Sequence, residues 1–187
     1  MKINTEEDII RVIQSDEWMM HCLRAVRTLQ LPDWWICAGF VRSKIWDILH
    51  EFEERTPLGD VDVIYFDPED VEESTEKSLE NQLRKLDYTV PWSVKNQARM
   101  HLVNNFPTYT SSVEGISKFP ETVTALGVTL STTKDVQLTA PWGVRDVVNM
   151  IVMPTPDYTP DKPLHHVYRK RVTSKRWEKH WNKLVIT

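Results

Sequence analysis

The sequence predicts an α+β fold, and three observations carry that prediction. Short apolar runs that read as strands alternate with longer stretches of helical periodicity. One of these runs stops at a glycine and resumes at once with helical spacing. Apolar residues make up 41% of the chain and charged residues 27%, the mixture of an ordinary globular core rather than of a disordered or fibrous chain. At 187 residues the chain has room for one well-cored domain, expected over 1–187 and ending in a basic helix at about 164–183.

Taken in order, Thr5-Glu6-Glu7-Asp8 supplies a capping hydroxyl and first-turn acids, with Ile9, Ile10 and Ile13 as the apolar face behind them. A second helix starts near Ser15, its stripe running through Met19, Cys22/Leu23, Val26 and Leu29 until Pro32 closes the unit. Trp34 to Ala38 is a continuous apolar run, the pattern of a strand buried on both faces. Gly39 ends it, and Val41, Ile45, Ile48/Leu49 and Phe52 restore helical spacing. Asp60 to Phe66 reads as a second strand. Asp67 as cap, Pro68 at the first helical position and the acids after it predict a helix over about 68–86. A third strand is expected over Trp92 to Leu102, with Ser93, Lys95, Gln97, Arg99 and His101 on its polar face. Beyond it, Val123 to Leu130 and Val136 to Leu138 read as short strands or as a helix and a strand. Trp142 to Met150 reads as a short helix before Ile151-Val152-Met153, and Val167, Val172, Trp177, Trp181 and Leu184 anchor the terminal helix.

Composition narrows the function classes. No apolar run approaches the roughly 20 residues that span a bilayer, and Met1-Lys2-Ile3-Asn4 leads into acids rather than a signal-peptide core, so the expected setting is cytoplasmic, without a membrane partner. Cys22 and Cys37 fall in apolar patterns and read as small buried hydrophobes. The net charge of −4 is unevenly spread: residues 162–187 carry eight Lys/Arg against Glu178, a net of +7, which leaves −11 for residues 1–161. Such a tail either meets nucleic acid or lies as a solvated helix on the acidic body.

The chemistry-bearing constellation is Ala38-Gly39-Phe40-Val41-Arg42 followed by Asp60-Val61-Asp62. A glycine between strand and helix lets a phosphate approach the backbone, and the helix N-terminus offers free N–H groups and a positive dipole end. Aspartates one residue apart on a strand share a side, roughly 7 Å apart along the chain, within reach of shared metal. Such hard oxygen ligands suit Mg²⁺ or Mn²⁺. Phosphoryl transfer asks of a protein mainly charge neutralisation and alignment, which a carboxylate-bound metal site supplies. Each part alone is weak: an Asp-x-Asp pair at a strand start is equally well an ordinary surface feature.

These residues resemble the Gly-Gly-x-Val-Arg-Asp and Asp-x-Asp signature of the polymerase-beta-like nucleotidyltransferases, including the CCA-adding enzymes. More closely, Ala38 to Arg42, Asp60 to Asp67, Trp92 to His101 and Ala140-Pro141-Trp142-Gly143 are similar to an uncharacterised, mainly bacterial branch, over about residues 20–185. The resemblance implies a small mixed sheet of nucleotidyltransferase type flanked by helices. It implies metal at Asp60 and Asp62 as the catalytic pair and transfer of a nucleoside monophosphate from an NTP to an acceptor it does not identify. It also implies nucleotide binding by Gly39, Phe40 and Arg42, with Lys95 and Arg99 meeting triphosphate or acceptor. The chain departs from the signature at Ala38, at Ser43, and at Ser93, near the place where many members of the superfamily carry a third carboxylate. A catalytically impaired nucleotide- or nucleic-acid-binding module of the same fold is therefore the alternative. Trp92 and Trp142 are the tryptophans expected to line a cleft, while His165-His166 and Arg169-Lys170-Arg171 read either as a metal- or phosphate-binding run or, since no nearby acid or cysteine completes a site, as a solvated basic helix face, the favoured of the two.

Overall fold

Local signals set the first elements. Thr5 opens helix α1 (Glu6–Gln14) with a reciprocal capping box: the Asp8 N–H donates to Thr5 Oγ1 at 3.2 Å and the Thr5 N–H to Asp8 Oδ2 at 3.0 Å. Asp16 caps α2 (Glu17–Arg27) by accepting from the Met19 N–H at 2.9 Å. The computed structural model describes residues 2–187; Met1 lies outside them. The chain continues through β1 (Trp35–Cys37), α3 (Gly39–Leu49), β2 (Val61–Tyr65), α4 (Glu73–Leu86), β3 (Trp92–Asn96), α5 (Gln97–Met100) and α6 (Ser112–Ser117). It ends with β4 (Gly127–Leu130), β5 (Val136–Thr139), α7 (Arg145–Val148), β6 (Ile151–Val152), α8 (His165–Lys175) and β7 (Val185–Ile186).

Five strands form a mixed sheet in the order β3-β2-β1-β4-β5, and β6 and β7 form a separate parallel pair. Only β2 and β3 run parallel within the large sheet, with Asp62 opposite Ser93 and Ile64 opposite Lys95. β1 pairs antiparallel with β2, with Cys37 opposite Asp62. The two-residue period then sorts the faces. Val61, Val63 and Tyr65 join Ile9, Ile13, Leu23, Val26 and Leu83 in the main core, whereas Ile64 packs with Cys37, Ile116 and Ala125 in a smaller cluster on the other face. Asp62 lies on that second face. Both cysteines are free and buried, as expected. Among the described residues no helix is long and apolar enough to cross a membrane.

The three boundaries that depart furthest from the sequence expectation do so for tertiary reasons. The helix expected from residue 68 begins at Glu73. Asp67 instead closes a tight turn by accepting from the Glu69 N–H at 3.0 Å, and the carbonyls of Asp67 and Asp70 receive the Asn96 side-chain amide at 2.7 and 2.8 Å. With those carbonyls held, residues 68–72 cannot wind. The strand expected to reach Leu102 stops at Asn96, whose Oδ1 accepts from the Ala98 N–H at 3.0 Å and caps α5. Residues 97–104 are therefore helical, and the polar face predicted for residues 93–101 ends at Lys95.

The terminal helix ends at Lys175 rather than near 183, because Arg176 takes a left-handed conformation (φ 48°). The turn lets Trp177 and Trp181 pack edge-on against Trp46, with ring centroids 6.0 and 5.2 Å away. The Trp181 Nε1–H donates to Asp47 Oδ1 at 2.9 Å, and β7 then pairs with β6. The basic tail thus lies against the body of the molecule.

Candidate active site

Antiparallel pairing of β1 with β2 brings the end of β1 beside the start of β2, so the glycine turn and the aspartate pair lie together. Ala38 makes the turn from β1 into α3 at φ 54°, ψ −115°, a backbone state that L-residues rarely adopt. Its carbonyl accepts from the N–H groups of Val41 at 3.2 Å and Arg42 at 3.0 Å. The N–H groups at the start of α3, at Gly39 and Phe40, have no carbonyl within the helix to bond. The Phe40 side chain is buried and packs on Trp18, ring centroids 5.7 Å apart, so only its backbone can serve a phosphate.

Asp62 is half-buried on β2 and Asp60 is exposed just before the strand. Burial, followed by the charge of Asp60, pushes the Asp62 carboxyl up to about 6, against the opposing pull of Lys175, the Ser93 hydroxyl and Arg171. A cavity of about 380 Å³ opens beside it. Its wall includes Asp62, Ala38, Lys95 and Arg171 together with Met100, Val103, Phe119 and Val167, with Asn104 and Tyr158 as further polar groups. Among the described residues no group of three or more His, Cys, Asp or Glu side chains is assembled for a metal. The donors at this point are two carboxylates and, opposite Asp62 in the register, the Ser93 hydroxyl, all hard oxygens that fit Mg²⁺ or Mn²⁺.

The remaining sequence-predicted residues divide. Lys95 lines the cavity and is tethered from behind by the fully buried Glu76, Nζ to Oε2 at 3.2 Å. Arg99, on α5 instead of β3, spends its guanidinium on the same carboxylate, with Nε and Nη2 bonds of 2.7 and 2.6 Å, and does not line the cavity. Arg42 is 8% exposed, with its guanidinium carbon 5.1, 4.5 and 6.0 Å from the rings of Trp46, Trp177 and Trp181. Burial draws its pKa down to about 10, and its Nε has no hydrogen-bond partner. One edge of the group passes beneath the turn, where a Cβ on Gly39 would meet Nη2 at 3.4 Å. Neither tryptophan expected at a cleft is in the cavity wall: Trp92 is 2% exposed and donates to the Asp87 carbonyl, and Trp142 donates to that of Ser117.

Sequence reasoning missed Lys118, and it favoured a solvated face for Arg171, which lines the cavity instead. Lys118 lines the cavity and is paired with Asp157 at 2.8 Å. Arg171 reaches it from α8, its Nε donating to Glu121 Oε1 at 2.7 Å and Nη2 to Oε2 at 3.3 Å. Glu121 is fully buried and also accepts from the Thr124 hydroxyl at 2.7 Å. Burial works to lower the Arg171 pKa, but the Glu121 pair outweighs it and holds the guanidinium above its ordinary value. The available signal was helical spacing: Val167 and Tyr168 precede Arg171 by four and three residues, so all three share an inward face.

A family model described as nucleotidyltransferase matches residues 24–186. A solution structure described as a CCA-adding enzyme head domain is 33% identical, with a TM-score of 0.86 over 99% of this chain and 97% of that one. CCA-adding enzyme complexes with ATP and with CTP share the fold at 11% and 12% identity, with TM-scores of 0.59 and 0.56. This chain corresponds to 44% of the length of each of those two chains, and the likeness to them is one of fold alone. No curated protein sequence matches the chain.

Proposed function

The chain belongs to the nucleotidyltransferase family, and from that membership we propose that it binds an NTP with Mg²⁺ or Mn²⁺ and transfers the nucleoside monophosphate to an acceptor. The observation that carries the reading is the meeting of Asp60 and Asp62 with the N-terminus of α3, beside a cavity of about 380 Å³ that Ala38 and Asp62 line. Asp60 and Asp62 would hold the metal, which when bound supplies charge neutralisation on the phosphates and alignment of the reacting oxygens. The Gly39 and Phe40 N–H groups receive phosphate oxygens, and Lys95, steadied by Glu76, adds a fixed positive charge. Arg42 acts from beneath, bracing the turn through its tryptophan box. In the transfer an acceptor oxygen bonds to the α-phosphorus while the bond to the β-phosphate oxygen breaks. Pyrophosphate leaves, and the acceptor proton passes to water.

A second reading, a nucleotide- or nucleic-acid-binding module with impaired catalysis, is favoured by one feature: the residue opposite Asp62 on the parallel neighbour is Ser93, a hydroxyl, not a carboxylate. A nucleic-acid acceptor fits the exposed Arg169, Lys170, Lys175 and Arg176 on and just after α8. Two free, buried cysteines agree with a cytoplasmic setting.

Pyrophosphate release from each NTP, with Mg²⁺ or Mn²⁺ and a panel of hydroxyl and RNA acceptors, separates the readings. ATP and CTP are the nucleotides to try first. Acceptor-dependent release that Asp62→Asn abolishes supports the transferase. Tight binding of nucleotide with no release under any condition supports the binding module.

A further inference from the structure

Two of the cations that line the cavity share a design. Lys95 comes from the sheet and Arg171 from the terminal helix, and each is held from behind by a glutamate that has no exposure to solvent, Glu76 and Glu121 respectively. A buried ion pair gives little net stability, because desolvating both charges offsets their attraction. What such a pair does accomplish is to fix where the cation points. In Arg171 the Glu121 carboxylate takes up Nε and one hydrogen of Nη2. Both hydrogens of Nη1 and the second hydrogen of Nη2 lie along the other edges of the planar group, and Arg171 forms part of the cavity wall alongside Asp62. Arg169 and Lys170, the neighbours of Arg171, are exposed.

Resting on the nucleotide reading of this cavity, we propose that Arg171 is a phosphate-binding residue of the site and Glu121 its positioning residue. The basic terminal helix then has two separate roles. Its inner face completes the nucleotide site, and its outer cations stay free for other anions. The ligand class follows from the chemistry: a guanidinium with one edge fixed presents a planar pair of donors, suited to two oxygens of a phosphate chain and poorly matched to a neutral nucleoside. A lysine at 171 could keep the charge but could not bond Glu121 and a phosphate in the same fixed plane.

The test compares the affinities of NTP, NMP and nucleoside, with Mg²⁺ present, for the full chain and for Arg171→Lys, Arg171→Gln and Glu121→Gln. Arg171→Gln is expected to weaken NTP binding about tenfold or more and to leave nucleoside binding unchanged, with Arg171→Lys falling between. Glu121→Gln is expected to weaken NTP binding less than Arg171→Gln does. In the wild-type protein, the Arg171 Nε–H resonance, assigned by its absence in Arg171→Lys, is expected to shift on addition of NTP but not of nucleoside. This readout holds even where Arg171→Gln does not fold. Unaltered NTP affinity in Arg171→Lys and Arg171→Gln, or an Nε–H signal that NTP leaves in place, overturns the assignment while the nucleotide reading stands. Absence of NTP binding to the wild-type chain removes that reading and this one together.

Discussion

At the scale of single residues, Ala38 carries the strongest local prediction. Its φ of 54° with ψ −115° is a glycine-type conformation occupied by an alanine, and the geometry is imposed because β1 must turn directly into α3. Relief of that strain exceeds the extra unfolded-state entropy of glycine, so Ala38→Gly is expected to stabilise the protein by about 1 kcal/mol, measured by denaturant unfolding. Asp62 gives a pH signature. Its carboxyl titrates at about 6 in the folded chain, above the ordinary value of 3.8, so the folded state holds this proton more tightly than the unfolded one. The contribution of this residue is fully present below pH 4 and is lost as pH rises through 6, on the order of 1–2 kcal/mol after allowance for partial exposure. Asp62→Asn is expected to flatten that segment of the metal-free stability profile, and an unchanged profile would contradict the assignment. The places of Asp62 on a strand and Gly39 at a strand-to-helix turn were legible from local pattern, while their reading as a site came from their order together with the family resemblance. The partners of Arg42 and Arg99 were not, since a tryptophan box drawn from residues 46, 177 and 181 and a glutamate 23 positions away leave no local trace.

At the scale of elements, Asn96 decides two boundaries at once. Its amide bonds the carbonyls of Asp67 and Asp70, and its Oδ1 accepts from the N–H groups of Asp67 and Ala98, at distances from 2.7 to 3.0 Å. Asn96→Ala leaves several buried backbone groups without partners and is expected to cost about 3 kcal/mol in unfolding free energy. It is also expected to speed hydrogen exchange over residues 67–72 and 97–100. Exchange confined to the chain termini would contradict this role. Helices α1 and α2 were legible because their caps and apolar stripes lie within a few residues of one another. The start of α4 and the end of β3 were not, because the signals at Asp67 and Pro68 and the alternation after Trp92 are overridden by the side chain of Asn96, the last residue of β3. The left-handed residue that ends α8 is an arginine, which no turn preference marks.

At the scale of the whole molecule, the charge asymmetry has a structural resolution. The acidic body and the basic tail meet at the cavity, where Arg171 is bound by Glu121 and the fields of Lys175 and Arg171 oppose the upward shift of Asp62. The chain carries +7 over residues 162–187 and −11 elsewhere, and α8 joins the two at the site instead of extending away from it. The strand–turn–helix unit and the position of the aspartate pair were readable in the residues, and the mixed sheet through the family resemblance. The contribution of α8 was not, because the basic run 169–171 has the composition of a solvated face and only the inward spacing of one member sets it apart.

The central claim is that Asp60 and Asp62 form a metal-dependent nucleotide site. Calorimetric titration of the wild-type chain and of Asp60→Ala/Asp62→Ala with each NTP, with and without Mg²⁺ or Mn²⁺, tests it most directly. Binding of at least one NTP to the wild type only when metal is present, with loss of that binding in the double variant, is the predicted result. NTP binding that survives in the double variant, or binding that does not depend on metal, would contradict it.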